Sequence, residues 1–156
     1  MRAIQIWLDE YGESHRTAAN KSIHWVCVPL IMLSVIGLVW CIPVPSIWVA
    51  RSVFLNWGVL LAMAALLYYY VLAWRLALGM TLVSAAMVFI VYFVTLFSAW
   101  PWLVWAIVFV VAWIGQFVGH KVEGKKPSFF KDLEFLLIGP LWLLAFLYRR
   151  LRLGYL

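Results

Sequence analysis

Charge is scarce in this sequence. Only 12% of its 156 residues are Asp, Glu, Lys or Arg, against ~25% in an average soluble domain. Acids are the scarcest: six stand against twelve Lys and Arg, and none falls between Glu13 and Glu123. Cysteine is nearly absent. Cys27 and Cys41 are too few and too far apart for a disulfide framework or a metal-ligand spacing, so both read as small apolar residues. The first fifteen residues hold three acids and lack an apolar core long enough for a cleaved secretory signal. No Gly-rich phosphate loop, Gly-x-Ser-x-Gly elbow or His-Glu-x-x-His helix occurs, which argues against a nucleotide-dependent enzyme or a serine hydrolase. No basic stripe is interleaved with exposed aromatics, so the net charge of +6 describes a membrane-adjacent face and no nucleic-acid partner is expected.

What fills the chain is apolar. Hydrophobic residues make up 67% and aromatics 18%. One domain of this length cannot hide so much apolar surface inside itself, so lipid must cover the excess. The fold class is all-α, an integral membrane helical bundle, and residues 1–156 form a single membrane domain without internal repeats or low-complexity linkers. Spans of about 20 residues are expected over 23–42, 52–74, 80–99 and 102–119. A fifth stretch, 133–148, is short and carries Gly139-Pro140 in its middle.

Basic residues in short loops stay cytoplasmic. Arg2, Arg16 and Lys21 precede the first span, Arg75 lies between the second and third, and four lysines follow the fourth; the opposite loops hold only Arg51. Four spans with the N-terminus inside sort these charges. The last stretch is followed by Arg149, Arg150 and Arg152, so it is expected to be re-entrant or interfacial; the alternative is a fifth span. The membrane is a bacterial inner membrane, or the endoplasmic reticulum in a eukaryote. Tyr68-Tyr69-Tyr70, Trp100, Trp102 and Trp105 read as interfacial anchors.

On this topology all three histidines meet at the cytoplasmic face, and so do all six acids. Trp113, Gln116, His120 and Glu123 recur at helical spacing and share one helix face. Gly119 lets another backbone approach beside His120. His15 and His24, nine residues apart, would point in opposite directions on one continuous helix, about 180° apart. A break between them removes that obstacle, and Asn20 is a good N-cap for a helix beginning at Lys21. Three imidazoles suit iron, zinc or copper and leave positions open for substrate and O2. Gln116 and Asn20 are candidates to fix ring orientation. The competing reading is that the histidines are interfacial polar residues capping helix ends.

Two stretches carry a resemblance. "YGESHRTAANKSIHWVCVP" fits Tyr-x3-His-x4-Asn-x3-His-x4-Pro, and "WIGQFVGHKVEGKKPSFFKDLEFLLIGPLWLL" fits Trp-x2-Gln-Phe-x-Gly-His followed by Glu, Pro and a late Gly-Pro. Both resemble the small membrane family of yeast-type 2-hydroxy fatty acid dioxygenases, which act in the breakdown of phytosphingosine to odd-numbered fatty acids. The resemblance implies an iron(II)-dependent oxidoreductase of fatty acid α-oxidation with Fe(2+) held by His15, His24 and His120. Its substrates would be a 2-hydroxy fatty acid and O2. It implies Asn20 and Tyr11 beside the ligands. The chain departs from the pattern in lacking Asn-Pro after the first histidine. Its spacing from His120 to Glu123 is also one residue shorter, so Glu123 is expected as an acid/base or ring-orienting group and not as a ligand. Gln116 and Glu123 are the candidate catalytic groups, and Lys125, Lys126 and Arg16 the candidate carboxylate guides. Two other readings stay open: a bis-histidine haem or electron-transfer protein using His24 and His120, and a non-enzymatic lipid-binding protein.

Overall fold

The computed structural model describes the backbone of residues 2–124 and 129–154, and the side chains of residues 4–124 and 135–154. Its regular structure is wholly helical among the described residues: α1 (Arg2–Glu13), α2 (Ala18–Trp40), α3 (Ser46–Arg51), α4 (Trp57–Phe97), α5 (Pro101–Glu123) and α6 (Phe129–Arg150). Three of them, α2, α4 and α5, are long and apolar enough to cross a membrane. Large apolar side chains point outward from them, with Val71 90%, Phe97 81% and Leu82 76% exposed. Water would penalise such a surface, and acyl chains would not.

The helix ends follow local chemistry. Thr17 caps α2 by accepting from the Asn20 N–H, and Asn56 caps α4 by accepting from the Val59 N–H. Pro101 opens α5, where its missing N–H costs nothing, and Gly124 closes it in the left-handed region at φ 73°. Sequence reasoning put the cap of α2 at Asn20; the helix begins one turn earlier because the Thr17 hydroxyl takes that role. The second span was expected from residue 52. Here α3 occupies 46–51, and a non-helical stretch leads to the Asn56 cap.

The 41 residues of α4 are two helices folded back to back. Ala73, at φ −158° and ψ 79°, leaves helical geometry. Phe54 meets the rings of Phe89 and Tyr92 at 6.1 and 5.4 Å, and the Tyr70 and Thr81 hydroxyls hydrogen-bond at 3.0 Å. A straight helix would separate positions 54 and 89 by about 52 Å, and 70 and 81 by about 16 Å. A loop was expected around Arg75–Gly79; one residue makes the turn instead, and the second limb resumes at once.

The two limbs, α2 and α5 run alternately up and down. Gly58 at the start of the first limb lies against Ile36 and Trp40 at the end of α2, while Gly37 receives the Trp105 ring near the start of α5. At the opposite end Gly115 lies on Cys27 and Gly119 on Asn20. This Gly-x3-Gly pair is why α5 packs more extensively on α2 than any other helix does. Cys27 is a buried free thiol and Cys41 a half-buried one, as small apolar residues would be. Two of the expected aromatic anchors are core residues: Tyr69 is 1% and Trp105 2% exposed. Three consecutive tyrosines on a helix cover about 200° of its circumference, so they cannot all face lipid.

The amphipathic α1 and the C-terminal α6 close one end of this bundle. Ile4, Leu8 and Tyr11 on one face of α1 pack with Tyr69, Ala73, Leu76, Ile138, Leu141 and Trp142. Residues 138–145 of α6 are all buried, and the helix continues through Pro140. It packs on α1, α2 and α4. Phe135, in its second turn, meets Trp7 and Tyr11, and near its end the Tyr148 hydroxyl donates to the Arg75 carbonyl at 3.3 Å.

Candidate metal centre

The helical run stops at Glu13, and residues 14–17 break it before Thr17 starts α2. This break lets the ring of His15 turn onto His24, two turns into α2, while the antiparallel α5 brings His120 to the same level. His15 is 3% and His24 1% exposed; His120 is half-buried. The ring centroids lie 4.1 Å (His15–His24), 5.2 Å (His24–His120) and 5.5 Å (His15–His120) apart. One ligand nitrogen from each residue falls within 4.8 Å of the others.

The hydrogen bonds define which nitrogens converge. His15 Nδ1 lies 2.6 Å from the Tyr11 carbonyl and His24 Nδ1 2.9 Å from the Asn20 carbonyl. A carbonyl only accepts, so both Nδ1 atoms carry the proton. In the neutral rings both Nε2 atoms are therefore bare lone pairs, and they face each other at 2.8 Å. Two lone pairs repel at that distance unless a cation, a shared proton or a metal ion, lies against both. Metal–imidazole bonds run about 2.0–2.1 Å, so two nitrogens that share one metal at right angles would stand about 2.9 Å apart. Backbone carbonyls that fix the tautomer from behind are also the usual support of metal-binding histidines. The donor set fits a divalent first-row metal with nitrogen preference.

The neighbours sort themselves by contact. Tyr11 stacks on His15 at 4.2 Å with planes 10° apart, and meets His24 edge-on at 6.5 Å. Trp142 approaches His15 at 5.7 Å from α6. Gln116 is buried one turn before His120 on α5. Asn20 is fully buried; its Nδ2 donates to the Ser14 carbonyl and to Glu123 Oε2, both at 3.2 Å. Its Oδ1, pressed against Gly119, has no partner among the described residues. Both Glu123 oxygens point at the start of α2, where they accept from the backbone N–H groups of Arg16 and Thr17 and from the Thr17 hydroxyl. The Arg16 side chain is exposed beside His15 in the chain. Lys125 and Lys126 lie outside the described residues.

Sequence reasoning missed Thr17 and Trp142. Thr17 had a signal, a hydroxyl three residues before an amide-bearing side chain at a helix start. Trp142 had none, since its position depends on how α6 folds over α1.

Residues 1–151 match the family described as Mpo1-like, 2-hydroxy-palmitic acid dioxygenase Mpo1-like. The chain belongs to the Mpo1-like family. Comparison with curated proteins and with solved structures returns no match. The Mpo1-like match includes all three histidines, Tyr11, Gln116 and Glu123, and runs beyond Trp142.

Proposed function

We propose that this Mpo1-like chain is an iron(II)-dependent dioxygenase that cleaves C1–C2 of a 2-hydroxy fatty acid and releases the acid one carbon shorter. The observation that carries the reading is the pair of Nε2 lone pairs meeting at 2.8 Å with both Nδ1 atoms tied to carbonyls, and a third imidazole beside them. His15, His24 and His120 would hold the metal. Iron(II), when bound, supplies the O2 chemistry that side chains lack.

The reaction balances without an outside reductant: a 2-hydroxy acid and one O2 give the shortened acid, CO2 and water. The chain's own part is binding and orientation. The carbonyls of Tyr11 and Asn20 hold the two ring protons on Nδ1, away from the reacting centre. Tyr11 and Trp142 wall off His15 and exclude water from that side. Gln116, buried one turn before His120, would offer substrate or a ring nitrogen a hydrogen bond. Arg16, and with it Lys125 and Lys126, would guide the carboxylate from the headgroup layer, leaving the acyl tail among the helices.

Four crossings fit this arrangement: α2, the two limbs of α4, and α5. Arg16, Lys21, Arg75, Lys121 and the C-terminal arginines then share the histidine face, with Arg51 opposite, which makes that face cytoplasmic. Support for a non-crossing α6 comes from Phe135, in its second turn, which meets α1, and from Tyr148, near its last turn, which meets the α4 turn. A bis-histidine haem is disfavoured by the third ring, His15, packed at 4.1 Å against His24.

The test is the iron content of detergent-purified protein, wild type beside His120→Ala, followed by 2-hydroxypalmitic acid under O2. Near-stoichiometric iron lost in the variant, and a C15 acid formed by wild type alone, are expected. No bound metal after anaerobic reconstitution with iron(II) would overturn the reading.

A further inference from the structure

The Glu123 carboxylate reaches from the end of α5 to the start of α2 and to the break that carries His15. Oε1 accepts from the Arg16 N–H at 2.9 Å, and Oε2 accepts from the Thr17 N–H at 3.0 Å, the Thr17 hydroxyl at 2.7 Å and the Asn20 amide at 3.2 Å. Arg16 directly follows His15. Thr17 is the N-cap of α2, the helix that carries His24, and Asn20 supplies the carbonyl that holds His24 Nδ1. Glu123 itself lies three residues beyond His120 on α5. One side chain thus links all three histidine-bearing segments.

The electrostatics explain why a carboxylate stands there. At the end of α5 a negative charge is disfavoured by its own helix dipole, whereas at the start of α2 it is favoured. In a capping box the cap residue's N–H is satisfied by an acid three positions along the same helix. Here that position is Asn20, and the acid comes from α5 instead. The capping box is built between two helices, so closing it fixes the distance between them.

We propose that Glu123 is a positioning residue, a clamp that sets the His15–His24–His120 geometry through Thr17 and Asn20 and takes no part in proton transfer to substrate. This rests on the reading of the three histidines as a metal site. With its acceptor positions directed at four donors on α2 and its flank, the carboxylate is committed to the protein. Outer partners of this kind typically contribute about 10–100-fold to metal affinity.

Co(II) is the probe, added anaerobically to metal-free protein in detergent, with the dissociation constant and the visible d–d bands as readouts. Glu123→Gln keeps the length and turns an amide NH2 toward the donors; it is expected to weaken Co(II) binding about tenfold or more and to alter the band pattern. Thr17→Val should move both in the same direction, and Thr17→Ser should restore them. The double variant should be no weaker than Glu123→Gln alone, because both break one link. In the metal-free protein, amide hydrogen exchange over Arg16 and Thr17 should accelerate in Glu123→Gln with helix content unchanged. Wild-type affinity, bands and exchange in Glu123→Gln would overturn the clamp and leave the metal site standing. No uptake of Co(II) or iron(II) by wild type would overturn the metal site itself, and the clamp with it.

Discussion

The two ends of the α2–α5 pair are built on different physics. At the histidine end, helix contact is polar and directed: Glu123 to Arg16, Thr17 and Asn20, Asn20 to Ser14, and two imidazoles tied to carbonyls. At the other end, Trp105 lies flat on Gly37 among Ile36, Trp40, Ala62, Met87 and Val91. There the Trp105 Nε1 has no partner among the described residues, nor does the Ser84 Oγ midway along the second limb of α4, and the Ser34 hydroxyl folds back on its own helix at Ile31. Lipid tails are as apolar as leucine, so association in the apolar half rests on close packing. Hydrogen bonds concentrate where the histidines need a fixed geometry. One end is held by directed polar contacts around the three histidines and the other by close apolar packing.

The largest expected effect separates them outright. His24→Ala should abolish iron binding and product formation with helix content unchanged and a smaller loss of Tm than Trp105→Ala, because the imidazole removed is smaller than an indole and its Nε2 faces another lone pair. Trp105→Ala should do the reverse. Removing a 2%-exposed indole leaves a cavity against Gly37, with a loss of about 3 kcal/mol, read as a lower Tm in detergent. Iron per folded molecule should not change. If His24→Ala unfolds the protein, or Trp105→Ala strips its metal, the division between the ends is wrong.

A finer pair probes two glycines on one helix face. A Cβ at Gly119 would meet the Asn20 side chain, which is held by Ser14 and Glu123 and cannot step aside; at Gly115 it would meet the Cys27 thiol, which has no such tethers. Both alanine variants overpack the helix pair, at a cost of about 1–3 kcal/mol. Only Gly119→Ala should also lower iron affinity, several-fold, by displacing the residue whose carbonyl holds His24. Equal iron affinities in the two variants would break the link between Asn20 and the site.

How much of this was legible in the sequence follows the same division. The three histidines, Gln116 and Glu123 carried their information locally, through i, i+3 and i+4 spacing and a break between His15 and His24; the structure brings the three histidines together, with Gln116 one turn before His120 on α5 and Glu123 one turn after it. The cap was read at Asn20 and not Thr17 because both residues are good caps three positions apart, and sequence alone does not show that Glu123 supports the earlier one. The turn at Ala73 left no mark, since the loop signals Arg75 and Gly79 lie just beyond it. Tyr69 and Trp105 were read as interfacial because in an apolar chain the helical period of hydrophobicity vanishes. Which aromatic faces inward is then decided by facing residues such as Gly37.

The smallest effect concerns one hydroxyl. Ser84 is 3% exposed, and its Oγ has no partner among the described residues. Deleting a hydroxyl from an unpartnered buried site removes a desolvation cost and no bond, so Ser84→Ala should be neutral or stabilising, by about 0.5 kcal/mol. Removing the Thr17 hydroxyl takes away a donor to Glu123 and an acceptor for the Asn20 N–H, so Thr17→Val should lower stability by about 1 kcal/mol. The two deletions are chemically alike and differ in their surroundings, the apolar interior of the bundle for Ser84 and the polar histidine end for Thr17. Thermal unfolding of the two variants side by side should give Tm shifts of opposite sign, or none against a clear loss. A loss at Ser84 as large as that at Thr17 would mean that the apolar half holds a polar contact of its own, and cohesion there would not rest on packing alone.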